Sequence, residues 1–232
     1  EDEIYTWDYV MEQEAKEKWS LEHPNERNPY EGLAKLSVFA YNLGDVFEIN
    51  NYTRSEDDFF NFAELFRVWT GSKQKDKAEI PTGANKGDFV HKDDVLKFLD
   101  MLCDNTKESF YPYSNAEFCQ ALSHTLWMVP GVAQADALKR MIDNHRIHTE
   151  LGYEVISVAG EGSKLELKDE DDSVGIENIE KDALRKVQTA VKKFPKTITL
   201  SCGRLTTGVS VPEWTGVFML SGGYSTSAAN YM

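Results

Sequence analysis

The sequence has 232 residues and a formal net charge of −14 at pH 7, with 41% hydrophobic and 12% aromatic residues. This length allows one large domain or two small ones, and the apolar content is typical of a folded chain rather than a disordered one. No apolar run approaches the roughly 20 residues of a membrane-spanning helix, and the negative charge argues against a basic surface over the whole chain.

The first part of the chain, residues 1–115, has the pattern of a mostly helical and irregular region. A first helix is indicated by apolar positions between Trp7 and Trp19, and the turn-forming residues from Pro24 to Pro29 should end it. Residues 36–41 are β-branched and aromatic enough to predict a strand. Two more helices are predicted from apolar residues spaced three and four apart: Phe59, Phe62, Leu65, Phe66 and Trp69 after an N-cap at Ser55, and then Val95, Phe98, Leu99 and Leu102. The aromatic row of Phe59, Phe60, Phe62, Phe66 and Trp69 could also be a stacking platform, but its helical spacing favours a place in the core.

The second part, residues 116–232, alternates short apolar runs with helical periodicity. Strands are predicted at residues 125–129, 153–158, 197–200 and 217–220, and helices at residues 132–142 and 176–194. Strands buried on both faces and separated by helices predict an α/β fold with a parallel sheet flanked by helices. Ligands of such sheets lie beyond the carboxyl ends of the strands. These ends are expected at Pro130–Gly131, Ala159–Gly160, Ser201–Trp214 and Ser221–Tyr224.

Charge is unevenly distributed along the sequence. Residues 1–27 and residues 161–182 each contain nine acidic and three basic side chains, and residues 169–172 form an uninterrupted acidic run. Residues 183–196 reverse the sign, with five basic side chains and no acidic one. The acidic run is expected to be a solvated loop. The basic stretch is expected on the outer face of a helix, and an alternative interpretation is a strip that contacts phosphates.

Cysteine and histidine spacing gives little sign of a metal centre. Cys103, Cys119 and Cys202 are far apart and form no CxxC pair, which argues against a disulfide framework and favours a reducing, cytoplasmic location. His145 and His148 could share a helix face, but no third ligand is near in sequence. We therefore predict no metal site and expect a basic helix end there instead.

The predicted loop after the third strand is the most distinctive segment of the sequence. Residues 201–214 read SCGRLTTGVSVPEW, combining glycines, hydroxyl side chains and a single cation, Arg204. Backbone amides in such a loop can hold an anion. Composition alone leaves open that the segment is an ordinary turn. Glu166-Leu167-Lys168 and the glycine-rich residues 222–227 are weaker candidates, for a metal-dependent nuclease motif and a phosphate site respectively.

Residues 197–222, TITLSCGRLTTGVSVPEWTGVFMLSG, resemble motif V and its flanks in superfamily 2 helicases. The similarity is greatest to the DEAD/DEAH-box motor subunits of type I and type III restriction enzymes. Residues 124–138 are similar to motif IV and the helix after it, and residues 1–19 resemble the segment that follows motif III. The resemblance implies a RecA-like second motor lobe at residues 116–232, with residues 1–115 forming a mostly helical insertion or linker region.

The resemblance also implies roles for individual residues of the loop. Contacts to the nucleic-acid backbone are implied for Ser201, Cys202, Gly203, Arg204 and Thr206. Contacts to the nucleotide are implied for Thr207, Gly208 and Ser210. Ser210 stands where this family commonly has an aspartate, so any contact it makes lacks that charge.

The same resemblance predicts that this chain is one lobe of a longer motor. No GxxxxGK[ST] motif occurs in the sequence, and motif VI with its arginine finger is also absent. Phosphoryl transfer needs those groups, so the chain alone should neither hydrolyse ATP nor unwind DNA. ATP and Mg²⁺ are expected as cofactors of the full-length protein only. The implied partners are DNA, the protein's own N-terminal motor lobe, and a nuclease or methyltransferase domain or subunit, with no membrane.

A second interpretation places the chain in a different functional class. It could be a non-enzymatic α/β interaction module whose helical part binds a protein partner. An open surface at the carboxyl edge of the sheet would favour the motor interpretation, whereas an edge sealed by the chain's own helices would favour the module.

Overall fold

The computed structural model describes residues 8–33, 35–41, 43, 46–47, 52, 60–71, 84–106, 110–160, 173–203, 205 and 209–221, with the backbone alone for 173–180. The chain divides into two compact units, Glu1–Asn42 and Leu43–Met232. This division lies after residue 42, whereas the boundary predicted from the sequence is residue 115. The expectation of a helical region followed by a RecA-like lobe stays a prediction.

The first unit contains one helix, α1, at Tyr9–Glu22. Asp8 caps its start, with a side-chain oxygen that accepts a hydrogen bond from the Met11 amide at 2.9 Å. The helix stops one residue before His23, whose backbone amide bonds back into the last turn. The predicted first helix and the turn after it are therefore confirmed, although Trp7 lies outside the described residues.

The predicted strand at residues 36–41 is wrong. These residues have no regular secondary structure and leave Leu36, Val38 and Phe39 with 46%, 74% and 65% of their surface exposed. A strand is stabilised by a neighbouring strand, and none of the strands in the described part of the chain pairs with this segment. Its composition is favourable for a strand, but the partner is missing.

The helical region of the second unit begins with α2, a single turn at Phe62–Leu65. The longer helix predicted here is wrong beyond Phe66, because Val68 forms an antiparallel bridge with Phe89 instead. That bridge replaces helical hydrogen bonds by pairing with a segment some 20 residues away in sequence. The predicted start of the helix at Ser55 and Phe59 lies outside the described residues. The interpretation of the aromatic row as core is confirmed for Phe66, which is 1% exposed.

Helix α3, at Lys92–Leu102, confirms the second predicted helix of this region. Its four predicted apolar positions are all buried. The remaining elements follow in chain order as α4 Ala116–Ala121, β1 His124–Met128, α5 Val132–Ile142, α6 Arg146–Thr149, β2 Glu154–Ser157, α7 Ser173–Lys193, β3 Thr197–Ser201 and β4 Gly216–Met219. All four predicted strands are present, and the short helices α4 and α6 were not anticipated. Within the part of the chain that the structure describes, no helix is long and apolar enough to cross a membrane.

The four strands form one sheet in the order β2–β3–β1–β4, and every neighbouring pair is parallel. The predicted α/β fold with a parallel sheet is thereby confirmed. The two central strands, β1 and β3, pair in register from His124 with Thr197 to Met128 with Ser201. Their central position explains why their apolar runs are continuous, since both faces of these strands are covered.

One face of the sheet shares its core with the helical region. Trp127 and Leu200 of the central strands belong to the same apolar cluster as Leu138 of α5 and Leu99 of α3. The core of the second unit therefore includes residues on both sides of residue 115, and the helical region is packed against the same cluster as the sheet.

The other face is covered by α7. Ile156 of β2 packs in a second apolar cluster with Val187 of α7, together with Leu205 and Val211 from the segment that follows β3. Helices on both faces of a parallel sheet give the three-layer arrangement expected for this class.

Two buried threonines in the central strands have contrasting hydrogen bonding. The Thr125 hydroxyl lies 3.3 Å from the Tyr113 hydroxyl and accepts a hydrogen bond from the Trp127 indole at 3.2 Å. The Thr199 hydroxyl is fully buried and has no hydrogen-bond partner among the described residues. A buried polar group without a partner costs free energy because it has lost its water.

We expect opposite effects when each of these threonines is replaced by valine. Thr199→Val should raise the free energy of unfolding by about 1 kcal/mol, because it removes an unpaired buried hydroxyl with little change in volume. Thr125→Val should lower the free energy of unfolding by about 1–3 kcal/mol, because it leaves the Trp127 indole and the Tyr113 hydroxyl without their partner. Urea denaturation of both variants measures the difference, and equal destabilisation by the two would contradict the assignment.

Candidate functional site

The candidate site lies at the carboxyl ends of the two central strands. The chain leaves β1 toward α5 on one face of the sheet and leaves β3 toward the opposite face, where Leu205 and Val211 pack with α7. Adjacent parallel strands whose connections separate in this way leave a crevice between their ends. We call the residues around it, Pro130–Gly131, Ala159–Gly160 and Ser201–Gly203, the carboxyl-edge site.

Hydrogen bonding draws the three segments of this site together. The Val129 amide donates to the Ser201 carbonyl at 2.8 Å, which continues the β1–β3 pairing beyond Met128. The Val158 amide donates to the Leu200 carbonyl at 3.0 Å in the same way on the β2 side. The loops after β1, β2 and β3 therefore begin at the same level of the sheet.

The backbone favours glycine at one position of the site, and at another a side chain would displace only the flexible end of a glutamine. A side chain at Gly131, which caps the start of α5, would place its Cβ 2.6 Å from the Gln134 side-chain oxygen. Gly203 has a backbone φ of 111°, a conformation that favours glycine, and a Cβ there would meet no atom of the described residues within 4 Å. The backbone at Gly203 is thus open to close approach by a ligand.

The loop after β3 is held by an apolar anchor with a strained backbone. Leu205 has a φ of 56°, an unfavourable value for a residue with a branched side chain. Its side chain is 4% exposed and packs in the same cluster as Val211. Burial of this side chain offsets the strain.

The predicted ligand contacts of the loop differ in how far they are exposed to solvent. Ser201 is the last residue of β3 and is fully buried, whereas Cys202 is half-buried and its thiol donates to the Ala159 carbonyl at 3.7 Å. Gly203 is exposed, and so is Ser210, one of the predicted nucleotide contacts. Among these four, the two exposed positions are the ones that a ligand reaches directly.

The other predicted contacts, Arg204, Thr206, Thr207 and Gly208, lie outside the described residues. The same holds for the acidic run at residues 169–172, for the Glu166–Lys168 segment and for the glycine-rich residues 222–227. Their roles stay predictions.

The two histidines considered as metal ligands, His145 and His148, have separate hydrogen-bond partners. His145 caps the start of α6 and lies 3.1 Å from an Asp100 oxygen, while His148 hydrogen-bonds to the Tyr153 carbonyl at 2.8 Å. We expected both histidines at the end of a helix. Only His148 lies in the last turn of one, because His145 begins a new helix. In the described ranges, no three His, Cys, Asp or Glu side chains are grouped as a metal site requires.

A polar cluster in the helical region had no signal in the sequence. A Glu64 oxygen lies 3.1 Å from Nε of Arg67 and 2.8 Å from Nε2 of His91, and the neighbouring Tyr52 hydroxyl donates to Asp94. Burial and the adjacent Asp94 carboxylate raise the pKa of Tyr52. The partners are up to 42 residues apart in sequence, so only the fold brings them together. These contacts connect α2 with the start of α3, which is the arrangement of a structural network.

The buried cysteine of α3's C-terminus is unsuited to nucleophilic chemistry. Burial raises the pKa of the Cys103 thiol to about 11, so the thiol is protonated at neutral pH. Cys103 therefore acts as a small apolar side chain of the core.

Fold and site together define an α/β protein with a three-layer parallel sheet and glycine-containing loops at its carboxyl edge. The chain is 24% identical over 237 residues to a Mycoplasma pneumoniae protein, named as the C-terminus of a candidate type II restriction enzyme and methyltransferase, RM.MpnORF110P. The match covers 94% of this chain and 29% of that relative's length. Neither a protein-family model nor a solved structure matches the chain.

Proposed function

We propose that the chain is the second motor lobe of an ATP-dependent DNA translocase that works with a restriction or phage-defence system. The observation that supports this most directly is the loop after β3, which resembles motif V and begins at the crevice between β1 and β3. In parallel α/β sheets that crevice is where nucleotides and their phosphates bind.

The loop after β3 then has two contact zones, one for DNA and one for the nucleotide. Gly203, together with Arg204 and Thr206, contacts the phosphates of DNA, and the buried Ser201 and half-buried Cys202 hold the start of the loop in place. The absence of a side chain at Gly203 lets backbone amides approach a phosphate closely.

The second zone faces the nucleotide. Thr207, Gly208 and Ser210 contact ATP that is bound by the other lobe. Ser210 is exposed and supplies a hydroxyl, which can hydrogen-bond to the ribose or to a water molecule but provides no charge.

This lobe requires a partner to hydrolyse ATP. The sequence has no Walker A lysine, so the groups that hold the β- and γ-phosphates and Mg²⁺ come from a first motor lobe. DNA bound to the loop and ATP bound between the lobes then favour the same closed arrangement of the two lobes, which links hydrolysis to movement on DNA.

The restriction association has separate support. The name of the similar Mycoplasma pneumoniae protein describes a restriction enzyme and methyltransferase. It does not mention a helicase, so the motor part of the proposal rests on the loop and on the parallel sheet. A nuclease or methyltransferase domain or subunit is accordingly the proposed partner, and DNA is the proposed substrate.

The test compares two glycine variants of the full-length protein, in which the chain is joined to its first motor lobe. Gly208→Asp should lower DNA-stimulated ATP hydrolysis roughly tenfold or more, because it places a negative charge beside phosphates. Gly152→Asp is the matched control, since Gly152 has a φ of 76°, lies before β2 at the amino end of the strands, and a Cβ there would meet no described atom within 4 Å. Its ATPase activity should be unchanged.

Two results would contradict the motor proposal. The first is ATP turnover by the purified 232-residue chain, which has no P-loop to support it. The second is full-length protein that remains inert with duplex, nicked and single-stranded DNA. Loss of folding in Gly208→Asp, detected by circular dichroism, would show instead that this glycine serves packing.

The exposed apolar segment of the first unit favours a second candidate function. Leu36, Val38 and Phe39 lie on an extended stretch that pairs with no strand of the described chain. Such a segment suits a module that binds another protein by strand addition. Full-length protein that binds neither ATP nor DNA would favour this module over the motor.

A further inference from the structure

The outer face of α7 is the most basic surface element of an otherwise acidic protein. Residues 183–196 contain five basic side chains and no acidic one, in a chain whose formal net charge is −14. We define the α7 basic face as Arg185, Lys192 and Lys193 with the polar side chains Gln188 and Thr189, which together line an open groove of about 350 Å³.

The helix places these side chains on one side. Ala183, Val187 and Val191 of α7 are buried against the sheet, whereas Arg185 and Lys192 are exposed. Positions seven apart differ by two helical turns, so these two cations lie about 10.5 Å apart along the helix axis. Gln188 and Thr189 occupy the turn between them and can donate hydrogen bonds.

The positive charge of this face is only weakly neutralised within the protein. The Arg185 guanidinium lies 3.5 Å from an Asp182 oxygen, but both side chains are more than two-thirds exposed, so the pair is weak. Lys193 lies 4.8 Å from the centre of the Phe194 ring. In the described part of the chain, no carboxylate is within ion-pair distance of Lys192 or Lys193.

The chemistry of the face selects a polyanion with regularly spaced charges. A membrane surface is disfavoured, because a membrane-bound helix needs an exposed apolar side and that of α7 is already buried. Single-stranded nucleic acid is disfavoured, because it is usually held by exposed aromatic rings and the groove has none. Ammonium, guanidinium, amide and hydroxyl groups are the donors that contact the phosphates of duplex DNA.

We propose that the α7 basic face binds the phosphate backbone of duplex DNA without sequence preference. The face is separate from the carboxyl-edge site, because the basic C-terminal turns of α7 lead into the amino end of β3. The inference therefore goes beyond the proposed motor function and does not depend on ATP. In the full-length protein the α7 basic face supplies a second DNA-binding surface.

The test uses the 232-residue chain and a fluorescently labelled duplex of arbitrary sequence. With three phosphate contacts, the slope of log affinity against log salt should be about −2.7, which corresponds to about 40-fold weaker binding at 200 mM than at 50 mM salt. Lys192→Gln combined with Lys193→Gln should reduce that slope by about 1.8 and weaken binding roughly tenfold or more at the lower salt.

The matched control is Lys18→Gln combined with Lys35→Gln, which makes the same change in net charge at exposed lysines of the first unit. Equal losses in the two double variants would overturn the proposal, because net charge alone would then explain binding. Equal competition by polyglutamate of the same total charge would also overturn it. If Arg204→Gln removes duplex binding while the α7 variant retains it, this inference fails and the motor proposal stands.

Discussion

Replacing Trp127 with alanine is expected to lower the free energy of unfolding by about 3–5 kcal/mol, enough to unfold a marginally stable domain. Trp127 is fully buried in the central strand β1, and its ring stacks on Phe218 of β4 at a centroid distance of 4.8 Å. Tyr113 lies on the same stack at 6.3 Å. Truncation removes these contacts and leaves a cavity that a four-stranded sheet packed on both faces cannot close.

Two further variants make this expectation specific. Trp127→Phe keeps a ring in the stack and should cost about half as much, roughly 1–2 kcal/mol. Leu96→Ala removes a side chain that is 41% exposed on α3 and should change stability by less than about 0.5 kcal/mol. Urea denaturation monitored by far-UV circular dichroism, whose signal does not depend on Trp127, gives the free energy of unfolding of all three variants. A loss below about 1 kcal/mol for Trp127→Ala would show that the stack does not support the core.

The second large effect is a loss of stability at alkaline pH. Burial raises the pKa of Cys103 from 9.0 to about 11. Burial also raises the pKa of Tyr113 and of Tyr153 above the usual 10.0. In the unfolded chain these groups lose their protons near their usual pKa values of 9.0 and 10.0, whereas the folded protein holds the protons to higher pH. The unfolded state is therefore favoured as pH rises.

The pH window follows from these shifts. The contribution of Cys103 is fully present below pH 9, declines as pH rises, and is lost by about pH 11. A shift of two pH units corresponds to about 2–3 kcal/mol for this thiol, and the tyrosines add to the loss above pH 10. Urea midpoints measured at intervals between pH 7 and pH 11 should therefore fall steeply in the upper half of the range.

Cysteine variants separate the thiol from the tyrosines. Cys103→Ala should make the decline between pH 9 and pH 10 shallower, since the group that titrates first has been removed. Cys202→Ala retains the buried thiol of Cys103 and should keep the full decline. Stability that stays constant from pH 8 to pH 11 in the unmodified protein would show that these groups are accessible to water.

The strands and long helices of the sheet were predictable because their signal is local. A strand covered on both faces is a short apolar run, as at residues 125–129 and 197–200, and a helix covered on one face repeats every three or four residues, as in α5 and α7. Several such units in alternation imply parallel pairing. For the same reason the loop after β3 could be assigned to the carboxyl edge before the structure was known.

Features that depend on distant partners could not be predicted in this way. Residues 36–41 have the composition of a strand but pair with no strand in the described part of the chain, and Val68 leaves the helical pattern to pair with Phe89. In both cases, pairing with another segment, or its absence, outweighs local preference.

The sequence alone determined that this protein is a parallel α/β protein with a glycine- and hydroxyl-rich loop after its third strand, because burial on two faces imposes a pattern on each element separately. Only the tertiary structure decided the strand order, and with it the crevice between β1 and β3. It also decided that Ser201 is buried while Gly203 is exposed, since one lies in the sheet and the other just beyond it. Access to a ligand depends on which segments meet, and no single segment contains that information.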